Sequence, residues 1–190
     1  MLFKPGYDEN GKKVLCEMNG VNSDMLMDIY VKKLKAGEAL EISEEKNECA
    51  VLLLSGKVNF TVADSINEDC KRENPFEKTP YAVHFCKGTK AVITAACDSE
   101  VLVQMTDNDK TWEPVFYNPD NCLYQEFGKG QWNGTGHRIV STVFDLDNAP
   151  YSNMVMGEVF NQPGRWSSYP PHHHPQPEVY YYQFDHPEGF

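Results

Sequence analysis

Three adjacent histidines near the end of the chain, His172, His173 and His174, are followed by Glu178. In an extended segment, residues i and i+2 face the same side, so His172 and His174 can direct two imidazoles at one point. Glu178 can bring a carboxylate oxygen back to that point. Neutral nitrogen and anionic oxygen are donors that zinc, iron and manganese accept. The spacing predicts a divalent metal site; a register that uses His173 and an exposed polar loop are the alternatives.

The composition limits the partners that this chain can bind. It has 190 residues, a net charge of -11 and only three arginines, which is a poor surface for nucleic acid or anionic lipid. No run of about 18 apolar residues is present, and the N-terminal sequence lacks a signal pattern. We therefore expect a cytoplasmic protein that binds neither nucleic acid nor membrane. Arg165, close to the histidines in sequence, is a candidate for pairing with the carboxylate of a small molecule, although an ordinary surface arginine is the alternative.

The chain has the pattern of an all-β protein, with short strands separated by glycine turns and no convincing helix. Residues 49–54 and 58–62 predict a hairpin around a turn at 55–57. The polar stretch 64–79 predicts a surface loop. Residues 107–136, rich in proline and glycine, predict a connection between two units. Strands at this spacing indicate a β-sandwich or a small barrel.

The six cysteines are scattered and contain no C-x-x-C pair. Several of them fall inside apolar strand patterns. We expect them to be small buried hydrophobic residues without a redox role.

Four segments together resemble one protein family. Residues 51–57, 87–90 and 156–159, and above all Pro-Gly-Arg-Trp-Ser-Ser-Tyr-Pro-Pro-His at 163–172, resemble the 5-deoxy-glucuronate isomerases of bacterial inositol catabolism. These enzymes are relatives of the 4-deoxy-uronate ketol-isomerases of pectin breakdown. The resemblance runs in order over nearly the whole chain. It implies a tandem bicupin, in which each unit is a double-stranded β-helix or jelly-roll barrel.

The resemblance also implies a division of the chain at about residue 130. Residues 1–130 would form a cupin barrel without a metal site, because Glu48 holds the glutamate position but Ala91 stands where a histidine ligand would be. His84 lies at neither ligand position. Residues 131–190 would begin a second barrel that carries the metal motif.

A fourth ligand, a histidine of the second cupin motif, is expected beyond Phe190. His186 is the other histidine that follows the motif, but its Asp-His-Pro-Glu-Gly context indicates a turn. The second barrel is therefore expected to be incomplete in this chain, as in a fragment or a truncated form of a longer protein.

The resemblance implies that the intact protein interconverts an aldose and a ketose, 5-deoxy-glucuronate and 5-dehydro-2-deoxy-gluconate. Inactivity of the 190-residue chain itself is an alternative, because its second barrel would not close. A metal held by His172, His174 and Glu178, expected to be zinc with iron or manganese as alternatives, would polarise the carbonyl. A proton would then move between two carbons through an enediol, with a base that the sequence does not identify. Tyr180 is a further candidate for substrate binding, and a homo-oligomer is expected. A non-catalytic sugar-acid-binding cupin and a metal-dependent cupin oxygenase are the alternatives.

Overall fold

The computed structural model describes residues 2–77, 79–168 and 172–186, and in these ranges the protein is built from β-strands. Two single 3-10 turns, Ser23–Met25 and Trp132–Gly134, are the helical segments in the described part of the chain. The strands are β1 (Lys12–Cys16), β2 (Asp28–Leu34), β3 (Ala39–Ser43), β4 (Asn47–Val62), β5 (Ile66–Arg72), β6 (Ala82–Phe85), β7 (Lys90–Ala95), β8 (Ser99–Asp107), β9 (Val115–Tyr117), β10 (Leu123–Phe127), β11 (Arg138–Phe144) and β12 (Met156–Asn161). The all-β prediction is confirmed.

Nine strands form one curved sheet that folds into two faces. One face has the order β1-β2-β8-β4-β6-β9, and the other is made by β3, β7, β4 and β5. In the described part of the chain, these strands pair antiparallel. Strand β4 belongs to both faces and therefore joins them into a barrel.

The turn predicted at residues 55–57 is wrong, because β4 continues through it as a single strand of 16 residues. The first half of β4 pairs with β6 and β8, and the second half pairs with β5 and β7. Gly56 lies where the strand passes from one face to the other, with φ of +105°. A Cβ atom there would lie 2.2 Å from the Ser99 hydroxyl oxygen, so only glycine fits this crossing.

The surface loop predicted at residues 64–79 is wrong for residues 66–72, which form β5 along the second half of β4. Most residues of β5 are charged or polar and exposed, which hides the strand in the sequence. Ile66, Cys70 and Arg72 are buried on its inner side. Burial of these three side chains, rather than a regular alternation, distinguishes the strand from a loop.

The space between the two faces of the barrel is filled by apolar side chains. Residues from nearly every strand of the nine contribute, among them Val51, Phe60, Phe85, Ile93 and Val103, each with no exposed surface. A close-packed apolar interior of this kind contributes the main favourable free energy of folding. The barrel is therefore a rigid unit against which other parts of the chain can pack.

A second apolar core lies on the outer side of the β1-β2-β8-β4-β6-β9 face. Ala50, Leu52 and Leu54 point outward from β4 into this core, where they meet Phe144 and Met156. These last two residues belong to the sheet β10-β11-β12. Because both sides of β4 are covered, its first half is a continuous apolar run rather than an alternating one.

The segment predicted as a connection, residues 107–136, contains β9 and β10. Strand β9 pairs with β6 of the barrel, and β10 pairs with β11 of the second sheet. The passage from the nine-stranded sheet to the three-stranded one lies between these two strands. The division of the chain into domains at residue 130 stays a prediction.

Burial of the cysteines is confirmed for five of the six. All six lie in the described part of the chain and are free thiols, and Cys97 is the exposed one. Burial raises the pKa of the Cys16 thiol to about 11, which keeps it protonated and unreactive at neutral pH. Among the described residues, no helix is both long enough and apolar enough to cross a membrane.

Candidate functional site

The predicted metal ligands lie on an irregular segment that follows β12. His172, His174 and Glu178 are all exposed there. The ring centroids of His172 and His174 are 6.0 Å apart, with their planes inclined by 41°. The Nε2 atom of His174 lies 3.6 Å from Oε2 of Glu178. The structure therefore brings His174 and Glu178 together and places His172 beside them.

One hydrogen bond fixes the orientation of the His174 ring. Its Nδ1 atom lies 2.8 Å from the carbonyl oxygen of Gln176, and since a carbonyl can only accept, Nδ1–H is the donor. The lone pair of the neutral ring is then on Nε2, the atom that faces Glu178. Histidines that bind metals commonly donate their other ring N–H to a carbonyl in this way.

These side chains fit a divalent cation in donor type and, for one pair, in spacing. Two ligand atoms on one tetrahedral zinc ion are about 3.4 Å apart, close to the 3.6 Å between His174 Nε2 and Glu178 Oε2. Within the described ranges, however, no group of three or more His, Cys, Asp or Glu side chains has the spacing of a metal site. Metal binding and the ligand set therefore stay predictions, as does a fourth ligand beyond Phe190.

Tyr180 lies next to this pair. Burial raises the pKa of its hydroxyl, and a hydrogen bond with Glu178 raises it further, while the nearby Arg138 acts in the opposite direction. The ring is about half exposed and stacks on Tyr182, with centroids 5.8 Å apart. Tyr180 therefore offers a protonated hydroxyl on the Glu178 side of the segment, where a small molecule could reach it.

The alternate side chains of the same segment hold it against the barrel. Val179 and Tyr181 pack on the second core. The Lys13 ammonium lies 3.3 Å from the Tyr181 hydroxyl, and the Gln183 amide donates to Glu100 at 3.5 Å. The two sides of this extended segment thus have different roles, one facing solvent and one attaching it to β1 and β8.

Arg165, predicted to bind a carboxylate, lies on the 3-10 turn at Trp132–Gly134. Its Nη1 donates to the carbonyl oxygen of Gly134 at 2.6 Å. The neighbouring Trp166 donates its backbone N–H to Thr135 at 2.8 Å, and its ring lies 6.1 Å from that of Trp132. Arg165 is exposed, so its guanidinium has further donors directed toward solvent.

Two buried charged groups outside the predicted site connect the barrel to the chain segment around β12. The Arg72 guanidinium forms two hydrogen bonds with the carboxylate of Glu158, at 2.8 and 3.1 Å. Burial raises the pKa of Glu158, and the Arg72 charge offsets part of that effect. The sequence offered one signal, since Arg72 is one of only three arginines and lies in an otherwise ordinary polar stretch.

The second buried group is the carboxylate of Glu48. It accepts hydrogen bonds from His84 Nε2 at 2.8 Å, from the Ser152 hydroxyl at 2.9 Å and from the Asn153 backbone N–H at 2.6 Å. Asn108 donates a fourth, at 3.2 Å. Burial alone would raise the pKa of Glu48, but these donors outweigh it and hold the pKa below its ordinary value. The carboxylate at the cupin glutamate position therefore serves as an anchor for residues 152–153.

Comparison with known proteins supports the resemblance that the sequence motifs carry. The model of the KduI/IolB family matches residues 1–190. The 5-deoxy-glucuronate isomerase of Bacillus licheniformis is 29% identical over 205 aligned positions, which cover all of this chain and 74% of the relative. The corresponding protein of Bacillus subtilis strain 168 is 28% identical with the same coverage.

Two crystal structures have a similar fold. An IolB-like protein from Salmonella typhimurium LT2 aligns with a TM-score of 0.59 at 25% identity, over 64% of this chain and 46% of that one. A putative glyoxylate-induced protein from Pseudomonas aeruginosa aligns with a TM-score of 0.57 at 9% identity, over 79% of this chain and 55% of that one, which is a likeness of fold alone. The nine-stranded barrel and the attached three-stranded sheet define an all-β barrel protein, and the all-β class is as predicted. Within that class, the chain belongs to the KduI/IolB family.

Proposed function

We propose that this chain is a 5-deoxy-glucuronate isomerase that interconverts an aldose and a ketose in inositol catabolism. The observation that carries the proposal is the pairing of His174 Nε2 with Glu178 beside the Tyr180 hydroxyl. The pairing occurs in a chain whose family match covers all 190 residues. Two relatives at 28–29% identity carry that enzyme name. We further propose a cytoplasmic homo-oligomer that acts on a uronate-type sugar acid.

In this proposal, His172, His174 and Glu178 hold a divalent ion, with zinc as the first choice and iron or manganese as alternatives. When bound, such an ion supplies Lewis acidity to a carbonyl and its neighbouring hydroxyl. The hydrogen bond from His174 to Gln176 keeps the ring oriented without help from the ion. We assign no general base among these residues.

The remaining candidates would bind the substrate. Tyr180 accepts a hydrogen bond from a sugar hydroxyl, because its own O–H is directed to Glu178. Arg165 pairs with the uronate carboxylate through the guanidinium N–H groups that are not used by Gly134. Both side chains are exposed, so neither has to be uncovered before the substrate binds.

A direct test uses the purified chain, zinc chloride and 5-deoxy-glucuronate in D2O, followed by proton NMR. The proposed isomerisation moves one proton from the hydroxyl-bearing carbon to the former aldehyde carbon, so ketose should accumulate with deuterium at that carbon and without oxygen uptake. Binding of the sugar acid without conversion would overturn the activity in favour of a binding cupin. Conversion coupled to oxygen consumption would overturn it in favour of an oxygenase.

The same assay tests the site assignment with a matched pair of variants. H174A should reduce turnover at least about a hundredfold, since a ligand and its orienting hydrogen bond are both lost. H186A removes another exposed histidine, one that lies beside Asp185, and should leave turnover unchanged. Equal turnover in H174A and in the unmodified chain would contradict the site.

A further inference from the structure

Both terminal nitrogens of the buried Arg72 guanidinium have several hydrogen-bond acceptors. Its Nη1 donates to the carbonyl oxygen of Leu53 at 3.0 Å, and its Nη2 contacts the carbonyl oxygens of Pro75 and Glu77 at 3.0 and 2.8 Å. Both nitrogens also contact Glu158, as described above. The side chain has no exposed surface. The planar guanidinium of Arg72 on β5 therefore links β4, the turn after β5 and strand β12 in a fixed geometry.

Ten residues lie between the end of β12 and His172. We call residues 162–168 and 172–178 the histidine loop. Glu158 lies in the middle of β12, four residues before the loop begins, and the Glu48 carboxylate holds residues 152–153 ahead of the strand. The upstream end of the histidine loop is thus attached to the barrel by two buried carboxylates.

The downstream end of the histidine loop is attached to the barrel as well. Tyr181 contacts Lys13 of β1, whose ammonium also lies 4.2 Å from the Tyr7 ring centroid. Tyr7 in turn forms a hydrogen bond with Glu100 of β8. The barrel thus holds β12 on one side of the histidine loop and Tyr181 on the other, so a shift of β12 changes the distance that the chain between them has to span.

We propose that Arg72 is a positioning residue for the candidate metal site, acting through Glu158. This inference deepens the proposed function and relies on it for the role of the loop. The alternative is that Arg72 only stabilises the fold. The two differ in what happens to folded protein, because a positioning role changes the histidines in molecules that remain folded, whereas a purely stabilising role does not.

The test compares R72M, R72K and E158Q with K71M, each made in the chain as it stands. Lys71 is the adjacent residue on β5, exposed and paired with Glu73, so K71M matches R72M in strand and in charge change without touching Glu158. Two measurements are made at a temperature at which circular dichroism shows each variant folded. The first is the NMR signals of selectively labelled histidine rings, and the second is a titration with Co²⁺ followed by visible absorption.

We expect R72M to shift the ring signals of His172 and His174 and to weaken Co²⁺ binding by up to about tenfold, the low end of the range for groups that contact a metal ligand, because Arg72 contacts no candidate ligand itself. R72K keeps the positive charge but loses the planar set of N–H donors, so we expect a smaller change in the same direction. K71M should match the unmodified chain. If R72M does not fold, R72K and E158Q decide the question by the same two measurements.

Folded Arg72 variants with unchanged histidine signals would overturn the positioning role. Absence of Co²⁺ binding by the unmodified chain would instead overturn the metal site of the proposed function. In that case the histidine signals still decide whether Arg72 positions the loop, so the two failures remain distinguishable.

Discussion

The imidazole of His84 lies flat on the ring of Phe144, with centroids 4.2 Å apart and planes 5° from parallel. His84 belongs to β6 of the barrel and Phe144 to β11 of the second sheet, so this stack is a direct contact between the two sheets. The Nε2 atom of the same imidazole is bonded to Glu48. In the described residues its Nδ1 atom has no hydrogen-bond partner.

Removal of the Glu48 carboxylate should destabilise the protein strongly. E48A leaves His84, Asn108 and the 152–153 backbone without their buried acceptor, and we expect a loss of about 3–5 kcal/mol in the free energy of unfolding. E48Q keeps the shape and should cost about 1–3 kcal/mol. Urea unfolding measures both. E45Q, a nearby exposed glutamate, serves as the control, and an equal effect of E45Q and E48Q would contradict the anchor role.

The same carboxylate predicts a dependence of stability on pH. The pKa of Glu48 is lower in the folded chain than its ordinary value of 4.5, so its ionised form stabilises the fold above that value, and the contribution disappears as the pH falls through the folded pKa. Glu158, whose pKa is raised, acts with the opposite sign. The difference between the unmodified chain and E48Q isolates Glu48, because a protonated carboxyl resembles an amide.

Urea unfolding of these two proteins between pH 7 and about pH 3 gives that difference directly. We expect E48Q to be less stable at neutral pH and the gap to narrow as the pH falls. A gap that stays constant over the whole range would show that the charge of Glu48 does not contribute.

Substitution of Gly56 separates backbone strain from steric overlap. G56A places a Cβ atom 2.6 Å from the Ser99 Cα in a residue with φ of +105°. G37A has a similar φ of +86° but no atom within 4 Å of the new Cβ. We expect G37A to cost about 1–2 kcal/mol from the left-handed backbone alone, and G56A to cost clearly more. Thermal unfolding compares the two, and equal losses would show that the Ser99 contact relaxes without cost.

Local signals in the sequence were enough for the strand content, the family and the candidate ligands. Residues i and i+2 of a histidine run share a face wherever the segment is extended, so His172 and His174 could be paired without knowledge of the rest of the fold. Tyr181 packs inward while Tyr180 and Tyr182 face solvent, as alternation requires.

Long-range partners could not be predicted in the same way. Glu48 contacts residues that lie 36, 60 and about 105 positions further along the chain. Arg72 contacts Glu158, which lies 86 positions away. Nothing in a polar segment marks which of its charges will be buried, because that depends on the element that later covers it. Strand β5 was missed for the same reason, since its inner side is completed by contacts with other strands.

The assignment of His174 and Glu178 to a metal site is tested most directly by elemental analysis. The unmodified chain, H174A and H186A would each be loaded with zinc, freed of excess metal and measured by plasma mass spectrometry. We predict zinc close to one equivalent per chain in the unmodified protein and in H186A, and little in H174A. The assignment would be contradicted if H174A retained as much zinc as the unmodified chain, or if neither protein retained zinc.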